Sequence, residues 1–337
     1  PTASVLAGAL PSEGALGTAW LPARGLWNRC NGVALVDPDG RVSHLLSYGG
    51  CQFNAVAGPV VDLAALDGRR GFVSLYGSAD YGPNVPDNRI AVVDLTDMTL
   101  AGHIDLDLYK GPHALIVDRD GKLWATVDPN RCLLVIDPDS REIENTIWLE
   151  TPGHFLAASP DGKTMYASSK EYPVVTEIDI VSRSVAGRIS VPVGAQAIRV
   201  SNDGQHLFVG DFHRPLLHVI DTAARAVTGT HALTGVPGWP FLSPDGKTLA
   251  VTTFDEPNAR GYVELLDASD PEDSRVVEVA DEPFHVLFSD DGTHLHVALA
   301  NGEVPRIDVA AASITDGGYH AGGSMPEAIV AYDPPVS

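Results

Sequence analysis

The sequence predicts an all-β fold, a single seven-bladed β-propeller domain over residues 1–337. Three observations predict it: a hairpin pattern that recurs about every 42 residues, a third apolar run after each hairpin, and chain ends that complement each other. The 33 glycines and 25 prolines separate short runs rich in Val, Leu and Ile, as is typical of many short strands joined by turns. This pattern favours strands over long helices.

Each repeat begins with two apolar runs on either side of an Asp-Gly turn. The clearest copies are GPHALIVDRDGKLWATV from Gly111, PGHFLAASPDGKTMYAS from Pro152 and GAQAIRVSNDGQHLFVG from Gly194, with weaker copies from Pro237 and Glu282. Apolar alternation around a turn that needs Gly at positive φ specifies a β-hairpin. A third run that closes on Asp, such as CLLVIDPDS, and a shorter fourth run complete the four antiparallel strands of a propeller blade.

The two chain ends together supply the closing blade. The last copy, AIVAYDP, stops after one strand, and residues 17–48 contain the three runs that such a blade lacks, GTAWLPARG, NGVALVDPDG and RVSHLLSYG. Joining both ends in one blade removes the open edges of an incomplete ring. We therefore predict seven blades, with a closing blade built from N-terminal strands and one C-terminal strand.

The charge balance restricts the partners that the chain can bind. The 44 acidic and 22 basic residues give a net charge of −22, which repels phosphate backbones and anionic headgroups, so no nucleic-acid partner is expected. No apolar run approaches the roughly 20 residues of a membrane span, and no membrane insertion is expected. A small-molecule ligand is the expected partner, with a protein partner as a further option.

The cysteines and the chain start bear on location. The three cysteines are too few for a disulfide scaffold and lack the CxxC spacing of zinc or redox sites. Ring closure makes Cys30 and Cys51 neighbours, so we expect a disulfide between them if the protein is exported, with Cys132 as a free thiol. The sequence begins at Pro1, which leaves room for an upstream signal peptide. We expect an extracytoplasmic or secreted protein, with a cytoplasmic location as the alternative.

The repeat resembles that of the YVTN-repeat and lactonase-like seven-bladed propellers. The resemblance rests on SPDGKTMYAS from Ser159, SNDGQHLFVG from Ser201, SPDGKTLAVT from Ser243 and the VID runs at Val135 and Val219. It extends over about six of the seven blades and implies the propeller fold. Such propellers host lyases, lactonases, metalloenzymes and binding modules, so the resemblance alone does not fix a function.

Alternating strand direction separates two faces. The Asp-Gly turns lie on one face, where a hairpin explains them. The loops before first strands and between second and third strands lie on the other, which we call the mouth face, where irregular loops favour binding residues. Polar and aromatic residues at the starts of the innermost strands are predicted to point into this mouth: His113, His154, Gln196, Trp239, His285 and Glu327.

His113, His154 and Glu327 are the predicted catalytic residues, and the two histidines are also candidate metal ligands. The histidines hold equivalent positions in adjacent blades, although a histidine at a strand start can equally serve to bind a neighbouring carbonyl. The repeat pattern does not require an acidic residue at position 327. We therefore expect Glu327 to be a metal ligand, an acid of raised pKa or a hydrogen-bonded structural group. The predicted substrate-binding residues are Gln196, Trp239, His285, Tyr172, Lys170, His213, Arg214 and Asp255. Within this set, His285 lies one register later and could instead face a blade interface.

The sequence leaves two classes of function open. One is an enzyme of the lyase, cyclase or lactonase type that acts on a small metabolite by His/Glu acid-base chemistry, with or without one divalent metal ion. The sequence resembles streptogramin-type lyases and muconate-lactonising propellers, which place His and acidic residues at this mouth, but it lacks the GPDGNLWFTE runs of the lyase repeat. Pro112-His113 resembles the ligand presentation of nitrous oxide reductase-like propellers, with too few histidines for a multi-copper cluster. The alternative is a non-catalytic extracytoplasmic propeller that binds a protein, a glycan or a small ligand.

Overall fold

A computed structural model describes the backbone of strands within residues 18–24, 31–36, 42–47, 55–56 and 330–332, and of residues 70–78, 85–94, 99–271 and 274–320. Side chains are described for residues 70–75, 88–94, 99–271 and 274–318. These parts form an all-β fold, as predicted, with short 3-10 turns at Asp128–Asn130 and Glu256–Asn258. Within the described ranges, no helix is long and apolar enough to cross a membrane.

The strands form four-stranded antiparallel sheets that follow one another along the chain. The first sheet contains β4 (Ala55–Val56), β5 (Arg70–Ser78), β6 (Val85–Asp94) and β7 (Thr99–Asp105). The second contains β8 (Pro112–Val117), β9 (Leu123–Val127), β10 (Cys132–Ile136) and β11 (Ile143–Trp148). The third contains β12 (Leu156–Ala158), β13 (Thr164–Ser168), β14 (Val174–Asp179) and β15 (Ser184–Ser190).

Three further sheets repeat this plan. The fourth contains β16 (Ala195–Val200), β17 (His206–Asp211), β18 (Leu216–Asp221) and β19 (Ala226–Ala232). The fifth contains β20 (Val236–Leu242), β21 (Thr248–Asp255), β22 (Arg260–Asp267) and β23 (Ser274–Val279). The sixth contains β24 (Pro283–Phe288), β25 (His294–Leu299), β26 (Glu303–Asp308) and β27 (Ser313–His320). Neighbouring sheets contact through their first strands, as β12 does with β16 and β20 with β24.

A composite sheet joins the two ends of the chain. It contains β1 (Thr18–Arg24), β2 (Asn31–Val36), β3 (Val42–Ser47) and β28 (Val330–Tyr332). Strand β28 pairs antiparallel with β1, with Trp20 opposite Val330, and gives the order β28-β1-β2-β3. Strand β1 in turn contacts β4 of the first sheet. The described strands therefore form a propeller-like succession of sheets.

Apolar side chains between successive sheets form the core. Strands β9 and β10 are buried over their whole length, and Trp124 of β9 is fully buried. Its indole Nε1 donates a hydrogen bond to Asp118 Oδ2 at 2.7 Å, which satisfies the one polar atom of this large ring. The outermost strands are half exposed: in β19 exposed and partly buried residues alternate. The sheets thus bury their inner strands and expose their outer ones.

Candidate functional site

β-Bulges at the starts of first strands hold several of the residues predicted at the mouth. The pairing of β8 with β9 shifts register after Pro112, so the bulge contains His113. Equivalent shifts at the starts of β16, β20 and β24 enclose Gln196, Trp239 and His285. A bulge turns side chains out of the regular alternation and is common next to binding sites. These positions therefore share a local backbone feature that redirects their side chains.

Hydroxyl groups on second strands fix these bulges to the neighbouring sheet. The inter-sheet bonds run from Ser74 Oγ to His113 O (2.7 Å), from Thr126 Oγ1 to His154 O (3.0 Å), from Ser168 Oγ to Gln196 O (3.2 Å) and from Thr252 Oγ1 to Phe284 O (3.1 Å). Thr126 Oγ1 also accepts a hydrogen bond from the Ala114 N–H at 2.8 Å, within its own sheet. The hydroxyls of Thr126, Ser168 and Thr252 thus bond to the mouth ends of two adjacent first strands and hold them at a fixed separation.

This framework brings His113, His154 and Asp128 together at the mouth face. One potential ligand atom from each of the three side chains lies within 4.8 Å of the other two. The two imidazole rings are 4.1 Å apart between centroids, and His154 Nδ1 lies 3.4 Å from Asp128 Oδ2. Adjacent ligands of a tetrahedral zinc ion are separated by about 3.3 Å, given metal–ligand distances of about 2.0 Å. We call these three residues the His-Asp cluster.

A backbone carbonyl fixes the protonation pattern of His113. Its Nδ1 lies 3.2 Å from the carbonyl oxygen of His154. Because a carbonyl oxygen only accepts hydrogen bonds, Nδ1 carries the proton, and Nε2 presents its lone pair. Histidines that bind metals are commonly held in this way, with one nitrogen donating to a carbonyl and the other binding the metal ion.

Burial gives the cluster the protonation states that a metal ion requires. Burial, followed by the charges of neighbouring groups, lowers the pKa of His113 to about 3 and that of His154 to about 3. Both imidazoles are therefore neutral at pH 7. Burial raises the pKa of Asp128 to about 6, which leaves its carboxylate mostly ionised at neutral pH. One oxygen, Asp128 Oδ1, is buried and has no hydrogen-bond partner among the described residues.

Aromatic rings surround the cluster on the side of the fifth sheet. The Phe155 ring meets the rings of His113 and His154 edge to face, at centroid distances of 5.0 and 4.6 Å. Phe155 also contacts Trp239 edge to face at 5.5 Å, and Trp239 contacts Phe284 at 5.9 Å. This row of rings leads from the cluster to a pocket of about 540 Å³. Gln196, Trp239 and His213 of the predicted substrate-binding set line this pocket, which we call the aromatic pocket.

Lys170 and Tyr172 lie in the loop after β13, and Arg214 in the loop after β17. The Lys170 ammonium lies 4.6 Å from the centroid of the Phe212 ring, and its positive charge contributes to the low pKa of both cluster histidines. Tyr172 is exposed. Arg214 forms two hydrogen bonds with the buried carboxylate of Asp211, of 2.9 and 2.7 Å. This ion pair holds the loop together, and two nitrogens of the Arg214 guanidinium donate to Asp211.

Asp255 and His285 lie apart from the His-Asp cluster. Asp255 Oδ2 accepts a hydrogen bond from Asn258 Nδ2 at 2.7 Å within its own loop. The His285 ring is buried and packs against Phe241 of the adjacent sheet at 4.3 Å, in the interface position that the sequence offered as its alternative. Glu327, Cys30 and Cys51 lie outside the described residues. Cys132 is a free, buried thiol.

The sequence prediction did not select Asp128 as a site residue. Asp128 begins the loop DPNRC between the second and third strands. The 3-10 turn Asp128–Asn130, which contains Pro129, is followed by Arg131 in the left-handed region. This turn sets Asp128 at the end of β9, one strand away from His113. The sequence does contain a signal for Asp128. It is an acidic residue at the end of a second strand, and the start of the neighbouring first strand carries a histidine, so the pairing of the two strands brings the residues together.

Comparison with known proteins supports the fold. The structure is similar to that of hydrazine synthase from Kuenenia stuttgartiensis, a protein that contains a β-propeller. The TM-score is 0.65 and the sequence identity 18% over 77% of this chain and 77% of that chain. At this identity the likeness shows the fold alone. No protein-family model and no curated protein matches the sequence.

Proposed function

We propose that this chain is a β-propeller metalloenzyme that holds one divalent transition-metal ion on His113, Asp128 and His154 and acts on a small metabolite at the mouth face. The observation that carries the proposal is the His-Asp cluster, in which three ligand atoms lie within 4.8 Å of one another. Two neutral imidazoles and one carboxylate are a donor set that suits Zn²⁺ and similar ions. The carboxylate oxygen without a partner would gain one in such an ion.

A bound ion of this type would supply Lewis-acid chemistry, polarising a substrate oxygen or lowering the pKa of a water molecule. The protein contributes the framework around it. The carbonyl of His154 orients the His113 ring, and Thr126 fixes that carbonyl from the second sheet. Phe155 covers both imidazoles and excludes water from one side. Lys170, whose charge reaches the cluster, would interact with negative charge that develops on a substrate oxygen during the reaction.

The finer features of the fold and location belong to the same proposal. Seven blades in a closed ring, with a composite blade between the sixth and first sheets, would place the cluster at the channel mouth. The YVTN-type resemblance, acid chemistry by Glu327 and an extracytoplasmic location are further parts of it. In a lyase, cyclase or lactonase, Glu327 would exchange a proton with the substrate opposite the histidines.

A non-catalytic binding propeller is the second candidate. The aromatic pocket favours it, because a volume of about 540 Å³ suffices for a small ligand without any reaction at the cluster. The two candidates differ in their need for a metal ion: the enzyme proposal requires one at the His-Asp cluster, and the binding propeller does not.

Elemental analysis of the purified native protein tests the enzyme proposal. We expect about one equivalent of a divalent transition metal in the unaltered protein and its loss in His113→Ala. His206→Ala is the matched control, because His206 is a histidine on the opposite face, beside the Asp-Gly turn of the fourth sheet. Unaltered metal content in His113→Ala, or a protein that takes up no transition metal after incubation with Zn²⁺, would reject the metalloenzyme.

A further inference from the structure

The aromatic pocket differs in composition from the His-Asp cluster beside it. Four aromatic side chains form much of its wall, together with two glutamates and several small or apolar residues. The aromatic residues are Phe212, Trp239, Phe254 and Phe284. Among the described residues that line it, none is a lysine or an arginine. A wall of rings and acidic groups is the composition that recognises organic cations in proteins.

The two glutamates are the charged carboxylates in the pocket lining, which contains no lysine or arginine among the described residues. Glu256 is exposed at the start of a 3-10 turn, and Glu282 is half-buried beside β24. The pKa of Glu282 is raised by burial and then by the negative charges of Asp281 and Glu256. These carboxylates repel one another, and an ammonium group between them would remove the repulsion. An anionic ligand would add to it.

The rings add a second attraction for a cation. The faces of aromatic rings carry negative electrostatic potential, strongest for tryptophan, and hold ammonium groups within about 6 Å of the centroid. One ring of this wall already does so, since Lys170 Nζ lies 4.6 Å from the centroid of Phe212. Lys170 itself is not among the lining residues, and its charge acts on the His-Asp cluster. The Trp239 and Phe284 rings have no such intramolecular cation among the described contacts.

We propose that the aromatic pocket binds a small arylalkylamine, in which an alkyl chain joins the nitrogen to an aromatic ring, in its ammonium form. The apolar body of the amine would pack on Trp239 and Phe284, and its ammonium group would lie near Glu282 and Glu256. The row of rings from Trp239 through Phe155 joins the pocket to the cluster, so the amine is the substrate class of the proposed enzyme. The reaction therefore rests on the proposed function, whereas amine binding can be measured without any metal.

Calorimetric titration at pH 7 with three small probes tests this assignment. The probes share a phenyl group: 2-phenylethylamine, which is an ammonium ion, the neutral 2-phenylethanol, and the anionic 3-phenylpropionate. We expect saturable binding of the amine, binding of the alcohol that is weaker by about tenfold or more, and no binding of the carboxylate. An alcohol that binds as tightly as the amine, or an amine that does not bind, would overturn the proposal.

Two charge-neutralising variants locate the effect. Glu282→Gln should weaken amine binding by about tenfold and leave alcohol binding unchanged, because it removes one charge and little volume. Glu303→Gln is the matched control: Glu303 is exposed, follows a mouth-face loop of the sixth sheet, and does not line the pocket. Equal losses in both variants would show a general charge effect and contradict a site at Glu282.

The same titrations on protein treated with a chelator separate this proposal from the previous one. Amine binding that persists in a protein without transition metal supports the pocket assignment even if the metalloenzyme proposal fails. If the protein binds zinc at the cluster but shows no preference for the amine, the metalloenzyme proposal stands and the assignment of the pocket to an amine is rejected.

Discussion

The two faces of the sheets treat aspartate in opposite ways. At the Asp-Gly turns, Asp161, Asp203 and Asp245 each accept a hydrogen bond of 2.6 or 2.7 Å from a serine two residues earlier, and these bonds hold their pKa values below the usual range. At the mouth face, one oxygen of Asp128 has no hydrogen-bond partner in the described part of the chain, and burial raises the pKa of Asp128 to about 6. The repeated aspartates are satisfied by their own turns, whereas Asp128 is left with capacity to bind something else.

This contrast teaches where to look for chemistry in a repeat protein. Groups that recur with the blade have their partners within the blade, and the pKa of Asp291, lowered to about 2 by Ser289 and the turn amides, is a further example. The departures occur at the mouth ends of strands, where His113, His154 and Asp128 interrupt the repeat. Buried groups with perturbed pKa values and free capacity are the ones that commonly bind ions or substrates.

Replacing one aspartate on each face by asparagine should give the largest change in zinc affinity. Asp128→Asn should weaken Zn²⁺ binding by about 100-fold or more, because it removes the only carboxylate among the three described ligands. The free energy of unfolding of the metal-free protein should stay the same or rise, since a buried charge is removed. Asp161→Asn should do the opposite, leaving zinc affinity unchanged and lowering stability. Zinc titration measures the affinity, and urea unfolding measures the free energy of unfolding. Equal losses of zinc affinity in the two variants would contradict the difference between the two faces.

A glycine on the turn face should affect stability alone. Gly292 has φ +68°, and an added Cβ would lie 3.6 Å from Pro244, an ordinary contact. Gly292→Ala should therefore lower the free energy of unfolding by about 1–2 kcal/mol through backbone strain alone. Gly292→Asn should recover part of this loss, because asparagine tolerates the left-handed region. Urea unfolding measures the loss, and zinc affinity should not change. A variant as stable as the original would show that the turn relaxes.

Buried histidine gives a smaller effect that depends on pH. Burial, then the charge of Arg199, lowers the pKa of His285 from 6.5 to about 3. Between these values the unfolded chain binds a proton that the folded chain does not, so stability is full above pH 6.5 and falls on acidification. His285→Phe should remove up to about 1.4 kcal/mol per pH unit from this slope. Urea unfolding at pH 7 and pH 5 measures it. An unchanged slope would mean that His285 is protonated in the folded protein.

The smallest expected effect concerns the reactivity of the three cysteine thiols. Burial raises the pKa of Cys132 to about 12, so this thiol should resist alkylation in the native protein. Thiol counting on unreduced, denatured protein should find one free thiol if Cys30 and Cys51 are joined. Three free thiols would contradict both the disulfide and the support that it lends to an extracytoplasmic location.

Much of the fold follows from the sequence because its repeat is local. The Asp-Gly turns, the third runs such as CLLVI at Cys132–Ile136, and the antiparallel order within each sheet match the pattern. The first strand of the third sheet is shorter than the run FLAAS indicates, at Leu156–Ala158. Before this strand, the His154 amide donates to the Ser168 carbonyl oxygen and the Phe155 amide donates to Ser168 Oγ, outside the paired residues of the ladder.

The site follows less completely, because loops carry it. His113 and His154 were found by their repeat position, and the structure brings them together. Asp128 was not selected, because its position depends on a 3-10 turn, which neither the apolar alternation nor the blade repeat predicts. The same holds for Glu256 and Glu282, whose joint position in the aromatic pocket depends on packing between the fifth and sixth sheets.

Anomalous X-ray diffraction at the zinc absorption edge, on crystals of the protein incubated with Zn²⁺, tests the central claim most directly. We expect one dominant anomalous peak between the side chains of His113, Asp128 and His154, and no comparable peak at the Asp-Gly turns. A peak at the turn aspartates with none at the His-Asp cluster would contradict the claim that the mouth face, rather than the repeated face, holds the metal ion.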